Sequence, residues 1–247
     1  MTKTKNDLRS EATRRLLVTA ARSLFGARGY AGVGTEEIVR AAGVTRGALY
    51  HQFRDKADLF AAVAEQVEAE IADRIAAGAA EAAADPVQAL RVGARLFLDA
   101  CAEPEAERII LLDAPAVLGW QAWRDLAGRY GLGLVQLALQ SAIDADAIAP
   151  QPVEPLAHVL IGALDECALY IAQAEDPAAA RQQCTAIFDQ ILRGITQIPE
   201  ASRPVAHAHS DLGRRHRAVL ARLTVPGSLR GVLVTITVTR LGRPPGA

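Results

Sequence analysis

The stretch "AAGVTRGALYHQFRDK", residues 41–56, gathers an arginine, a glycine, a tyrosine, a histidine and a lysine within the length of one short helix. Each suits a nucleic-acid surface for its own reason. Arg46 can form paired hydrogen bonds to guanine O6 and N7, or hold a phosphate. Gly47 lets a helix backbone come close to a duplex, Tyr50 offers a hydroxyl to a phosphate, and His51 can donate to a base edge or a phosphate. Lys56, together with free N–H groups where helices are predicted to begin at Thr35 and Thr45, adds charge and donors for further phosphates. Taken singly these residues have ordinary readings: a solvated arginine, a glycine that tolerates a turn, a tyrosine that packs. Only the set on one surface points to DNA.

Helical periodicity is what would bring the set together. At about 100° per residue, Arg46, Gly47, Tyr50 and His51 fall on one arc, while Ala48, Leu49 and Phe53 turn the other way. The helix is predicted from Thr45 to Gln52 or Phe53. Before it, "TEEIVRAA" opens with Thr35 as an N-cap, carries Glu36 and Glu37 in the first turn where the helix dipole favours negative charge, and ends at Gly43. Two short helices joined through a glycine form a helix-turn-helix unit, whose second helix lies in the major groove. Residues 11–28 place Leu16, Leu17, Ala20, Ala21, Leu24 and Phe25 on an amphipathic stripe, and Gly29 stops that helix. Asp55 can cap a longer one from Lys56 to about Gly78.

Composition and punctuation frame the rest. The chain has 247 residues, 51% hydrophobic but only 4% aromatic, which favours helices packed through small side chains and predicts an all-α protein. Pro86, Pro104, Pro115, Pro152 and Pro177 lie near the starts of apolar-periodic segments, so helices are expected near 86–102, 105–113, 119–146, 153–174 and 177–196, forming a bundle. Charge is distributed unevenly: residues 1–60 carry 11 Lys and Arg against 6 acids, residues 61–199 carry 8 against 20, and residues 200–247 carry 8 against 2. A basic end on an acidic body suits a protein that meets a polyanion at that end alone. The last segment contains a basic stretch at 212–223, predicted as a short helix, and "VLVTITVT" at 232–239, a strand pattern without a partner. Its composition predicts a poorly ordered extension.

Other chemistries find little support. Cys101, Cys167 and Cys184 are odd in number and widely spaced, which fits a reducing cytoplasm and no disulfide framework. Neither they nor His158 stand at zinc-ligand spacing, and no GxSxG nucleophile motif occurs, so no metal, cofactor or catalytic set is predicted. The charged N-terminus and the lack of an uninterrupted apolar run of about 18 residues predict neither export nor a membrane span.

"GYAGVGTEEIVRAAGVTRGALYHQFRDKADLF" closely resembles the DNA-binding segment of the TetR family of bacterial regulators, and the likeness runs in order across residues 14–60. It implies a three-helix head over residues 1–55 and a helical effector-binding and dimerising body over 56–198; composition marks off the basic extension over 199–247. The same resemblance implies phosphate contacts from Thr35, Tyr50 and Lys56, and base or backbone contacts from Thr45, Arg46, Gly47 and His51. Gln52 stands where many members have histidine; it can still donate a hydrogen bond. Homodimers paired through the last two helices are implied too, with Leu160, Leu164, Ile187, Ile191 and Ile195 as interface candidates or, alternatively, core residues. An effector pocket is expected around "LLDAPAVLGWQAWRDLAGRY", with Trp120, Trp123, Tyr130 and Phe97 as walls and Asp113, Arg124 and Asp165 as orienting groups, although core filling explains the aromatics equally well. The expected function is a repressor on a pseudo-palindromic double-stranded operator, released by a small lipophilic effector. A body that only dimerises, and a helical enzyme carrying a helix-turn-helix, are the alternatives.

Overall fold

The computed structural model describes residues 4–196, and among them every regular element is a helix. Helix α1, Lys5–Arg28, starts earlier than its apolar stripe, because Thr4 and Asp7 form a reciprocal capping box: the Asp7 N–H donates to the Thr4 hydroxyl at 3.2 Å and the Thr4 N–H to Asp7 Oδ2 at 3.0 Å. Leu17, Ala21 and Phe25 of the stripe are fully buried, whereas Leu16 is 52% exposed. Helix α2, Thr35–Ala42, is capped one residue earlier than the sequence pattern indicates. Gly34 holds the extended cap backbone, and Thr35 is the first helical residue rather than the cap.

The turn that follows depends on Gly43, whose φ of 66° lies in the left-handed region that a β-carbon disfavours. Helix α3, Arg46–Gln52, begins at Thr45, whose hydroxyl accepts the Ala48 N–H at 3.2 Å. Helix α4, Lys56–Glu81, begins at Asp55, whose carboxylate accepts the Asp58 N–H at 2.8 Å. Leu49 and Phe53 from α3, Ile38 from α2, Phe25 from α1, and Leu59 and Phe60 from the first turn of α4 are all buried in one core. Phe25, Tyr30 and Phe60 meet edge to face or tilted, with ring centroids 5.3–5.7 Å apart. Each such burial contributes on the order of 1.5–3 kcal/mol, so α1 and the two short helices after it are seated on the start of α4.

The chain continues through α5 (Pro86–Cys101), α6 (residues 104–118), α7 (Trp120–Asp144), α8 (Val153–Ala172) and α9 (Pro177–Thr196). Proline occupies the first turn of α5 and of α6. Helix α6 runs beyond the expected 105–113 and contains a π-helical stretch, Glu107–Asp113. The wider turn falls just ahead of Pro115, whose ring would press on the carbonyl of Leu111 in a regular α-helix. Gly119, at φ 85°, ends α6. Arg22 ties α1 to α4 and α6, donating to Glu70 of α4 at 2.7 Å and to Glu105 of α6 at 2.7 and 3.1 Å.

Helix α8 is the one helix among the described residues long and apolar enough to cross a membrane, with a mean hydropathy of 1.4. Its place in the bundle accounts for that apolarity: Ala157, Leu160, Leu164 and Ala168 are buried against neighbouring helices, and Asp165 is buried with them. The stretches predicted as a basic helix at 212–223 and a strand at 232–239 lie outside the described residues.

Candidate DNA-reading face and ligand cavity

The polar arc expected on α3 is exposed. Arg46, Gly47, Tyr50 and His51 all face outward, while Leu49 and Phe53 hold the helix from behind. Arg46 is parked on its own molecule, donating to Glu36 at the start of α2 at 2.9 Å and lying 5.5 Å from the Tyr50 ring centre. Both ends of the ion pair are about two-thirds exposed, 65% and 67%. Such a pair is worth little in water and is readily exchanged for a phosphate or a guanine. At Gly47 an added β-carbon would meet only Thr45 Oγ1 at 3.9 Å. Nothing inside this chain requires glycine there.

Two of the expected contact residues are engaged inward. The Lys56 ammonium donates to the Tyr30 and Val33 carbonyls at 3.0 Å each and lies 3.9 Å from the Tyr30 ring centre, closing the α1–α2 connection onto the first turn of α4. Gln52 donates its amide to Ser10 Oγ of α1 at 2.7 Å. Thr45 spends its hydroxyl on the helix cap, and Thr35 is half-buried. The exposed set is therefore narrower than the sequence pattern: Arg46, Gly47, Tyr50 and His51, with Thr45 exposed beside them but its hydroxyl engaged in the cap.

A cavity of about 90 Å³ lies between α4, α5, α7 and α8, with Phe188 of α9 also lining it. Small side chains create it. Ala72, Ala89, Gly93, Ala94, Ala127 and Gly131 leave the space that larger residues would fill. Of the residues expected to line an effector pocket, Phe97, Tyr130 and Asp165 do so. Trp120, Trp123, Arg124 and Asp113 do not. Trp120 is 59% exposed and Trp123 is buried in the core at the start of α7, away from the small-residue stretch in its middle. Arg124 lies behind the wall, its Nη1 3.4 Å from Asp165 Oδ2. Asp113 accepts the Tyr30 N–H at 2.6 Å, pinning the π-helical stretch of α6 to the end of the α1 segment.

Glu68 was absent from the expected lining and is one of its most unusual members, only 6% exposed. Its signal lay in the α4 pattern, where Ala64, Glu68, Ile71 and Ile75 share one helical stripe and a charged residue interrupts three apolar ones. Burial, reinforced by the Asp165 carboxylate, pushes the Glu68 carboxyl up to about 7. Burial likewise pushes Asp165 up to about 6, against the opposing pull of Arg124.

Leu160 and Leu164, expected at a dimer interface, are buried inside this chain and line the cavity. Ile195 is half-buried against the core. Ile187 and Ile191 do face outward, 54% and 38% exposed, and on α8 Val159 and Tyr170, absent from the expected set, are 64% and 55% exposed. Eleven residues apart, Val159 and Tyr170 return to the same side of their helix.

The family model described as "Bacterial regulatory proteins, tetR family" matches residues 17–63, and "Tetracyclin repressor-like, C-terminal domain" matches residues 87–195. A TetR-family transcriptional regulator from Pectobacterium atrosepticum, known from its crystal structure, is 35% identical, with a TM-score of 0.70 over 80% of this chain and 100% of that one. The HTH-type transcriptional regulator AcrR of Shigella flexneri is 34% identical over 109 residues, 44% of this chain; the match spans 50% of that relative's length. RolR, in complex with its ligand resorcinol, shares the fold at 21% identity and a TM-score of 0.62 over 81% of this chain and 98% of its own.

Proposed function

Because this chain belongs to the TetR family of bacterial transcriptional regulators, we propose that it is a homodimeric repressor that leaves a pseudo-palindromic operator when a small molecule enters the cavity between α4, α5, α7 and α8. One observation carries this reading. Helix α4 is a single 26-residue rod that has Lys56, fastened beneath the DNA-reading head, at its first position, and Glu68, Ile71, Ala72, Ile75 and Ala79 in the cavity wall. Lys56 and Glu68 stand about 18 Å apart along the axis at 1.5 Å per residue. A ligand that displaces the wall tilts the rod, and with it α3.

In this reading residues 1–55 are the head, completed underneath by the first turn of α4, and residues 56–198 form the sensing and dimerising body. Arg46 and His51 read base edges; Tyr50 and the helix starts at Thr35 and Thr45 hold phosphates, and Gly47 permits close approach. Phe97, Tyr130 and Asp165 contact the effector. Repression is lifted by a population shift between dimers whose heads match two half-sites about 34 Å apart and dimers whose heads do not.

Selecting bound fragments from genomic DNA yields the operator, on which Arg46→Ala is expected to cost about 1–3 kcal/mol of affinity at matched salt, and Tyr50→Phe less. Unchanged affinity in both variants removes the contact assignment.

A further inference from the structure

The cavity wall carries a charge pattern that an apolar pocket does not need. Glu68 on α4 and Asp165 on α8 are each only 6% exposed and both line the space. Asp165 has Arg124 as its partner, whereas Glu68 makes no hydrogen bond or ion pair among the described residues. A carboxylate withdrawn from water without a partner is costly, and an alanine or leucine at this point of the stripe would complete the wall at no such cost. A buried acid on the wall of a space lined, apart from Asp165 and Tyr130, by apolar side chains, with no partner of its own, is a site lacking its counter-charge.

We propose that the effector is a compact organic cation, an apolar body of about one ring bearing a protonated amine, whose charge sits against Glu68 with Asp165 beside it. This rests on the cavity being the effector site. The charged head replaces the missing partner, and the alanines, glycines and Phe97 of the wall cover the body. A volume of about 90 Å³ admits a single ring only with slight widening, since an engineered cavity of about 150 Å³ takes benzene.

The groups that face Glu68 leave this role to the ligand. From α8 comes Asp165, already paired with Arg124 of α7; from α5, the buried Cys101 thiol, itself pushed upward by burial and by these two acids; from α7, the Tyr130 hydroxyl, which donates to Glu65 at 3.2 Å. Glu65 in turn accepts from Arg129 at 2.8 Å. Near neutrality the free protein holds a proton on Glu68 for part of the time, and a bound cation expels that proton to solvent.

The test uses the full chain and two probes of nearly equal shape: benzylammonium, protonated throughout pH 5–8, and ethylbenzene, its neutral counterpart. Calorimetric or thermal-shift titration at pH 8 is expected to give benzylammonium at least tenfold the affinity of ethylbenzene. From pH 7 to pH 5 its Kd should rise about tenfold per unit, while that of ethylbenzene stays flat. In Glu68→Gln the preference for the cation should vanish with ethylbenzene binding retained. Equal or tighter binding of ethylbenzene to the native protein at pH 8 overturns the cation assignment and leaves the cavity as an effector site. Binding of neither probe overturns both.

Discussion

Glu68 and Arg46 represent two kinds of residue whose role depends on what is missing beside them. Arg46 is exposed and weakly held by Glu36, so little free energy stands between it and a phosphate or a guanine. Glu68 is buried, and its carboxyl lies at about 7 against an ordinary 4.5. The folded state therefore binds more protons than the unfolded state between those values, and stability is lost as pH rises through about 7. The loss attributable to this group is on the order of 3 kcal/mol. Glu68→Gln, which cannot ionise, should flatten the decline and leave the variant more stable than the native protein at pH 8 in urea denaturation; a variant that loses stability in parallel with the native chain would assign the decline elsewhere.

At the scale of the element, α3 shows how a helix divides its labour. Leu49 faces the core, Thr45 satisfies the first turn, and the outer arc carries nothing that the fold requires. Gly47 is the sharpest instance, because glycine inside a helix costs about 0.5–1 kcal/mol relative to alanine and open space surrounds it here. Gly47→Ala is accordingly expected to raise unfolding stability by about that amount while weakening operator affinity, the two effects being read by denaturation and by gel shift. A stabilised variant that binds DNA as well as the native chain would leave the glycine without a role at the duplex. The π-helical stretch of α6 is a second such element: Asp113 at its end holds the Tyr30 N–H, so α6 grips the segment after α1 here as well as through Arg22, which also reaches α4.

Across the whole molecule, outward-facing apolar side chains on α8 and α9 bear on assembly. Among the described residues, Val159, Tyr170, Ile187 and Ile191 are left exposed, and paired helices of two copies would bury them in an interface of the size stable dimers need, about 1,000 Å² or more. Val159→Asp combined with Ile187→Asp should give a folded monomer by sedimentation velocity. Its operator affinity should fall steeply, because each half-site must then be bound without the gain of a linked second contact. A dimer that survives both substitutions would move the interface to another face.

Helix order, the glycine that bends the helix-turn-helix, the start of α3 near Thr45, the cap at Asp55 and the outward arc of α3 were all legible in the sequence, because each depends on neighbours within a few residues. The same local logic left Thr35 misread as a cap by one position. Tertiary structure alone decided where the cavity opens. Tryptophans marked the richest aromatic segment, yet the space formed where alanines and glycines from four helices face one another, which only their packing brings about. It likewise turned Leu160 and Leu164 inward, fastened Lys56 and Gln52 to the head, and stripped Glu68 of water. Periodicity shows which side of a helix is apolar; which neighbour covers that side, and whether a gap is left, is settled by residues distant in the chain.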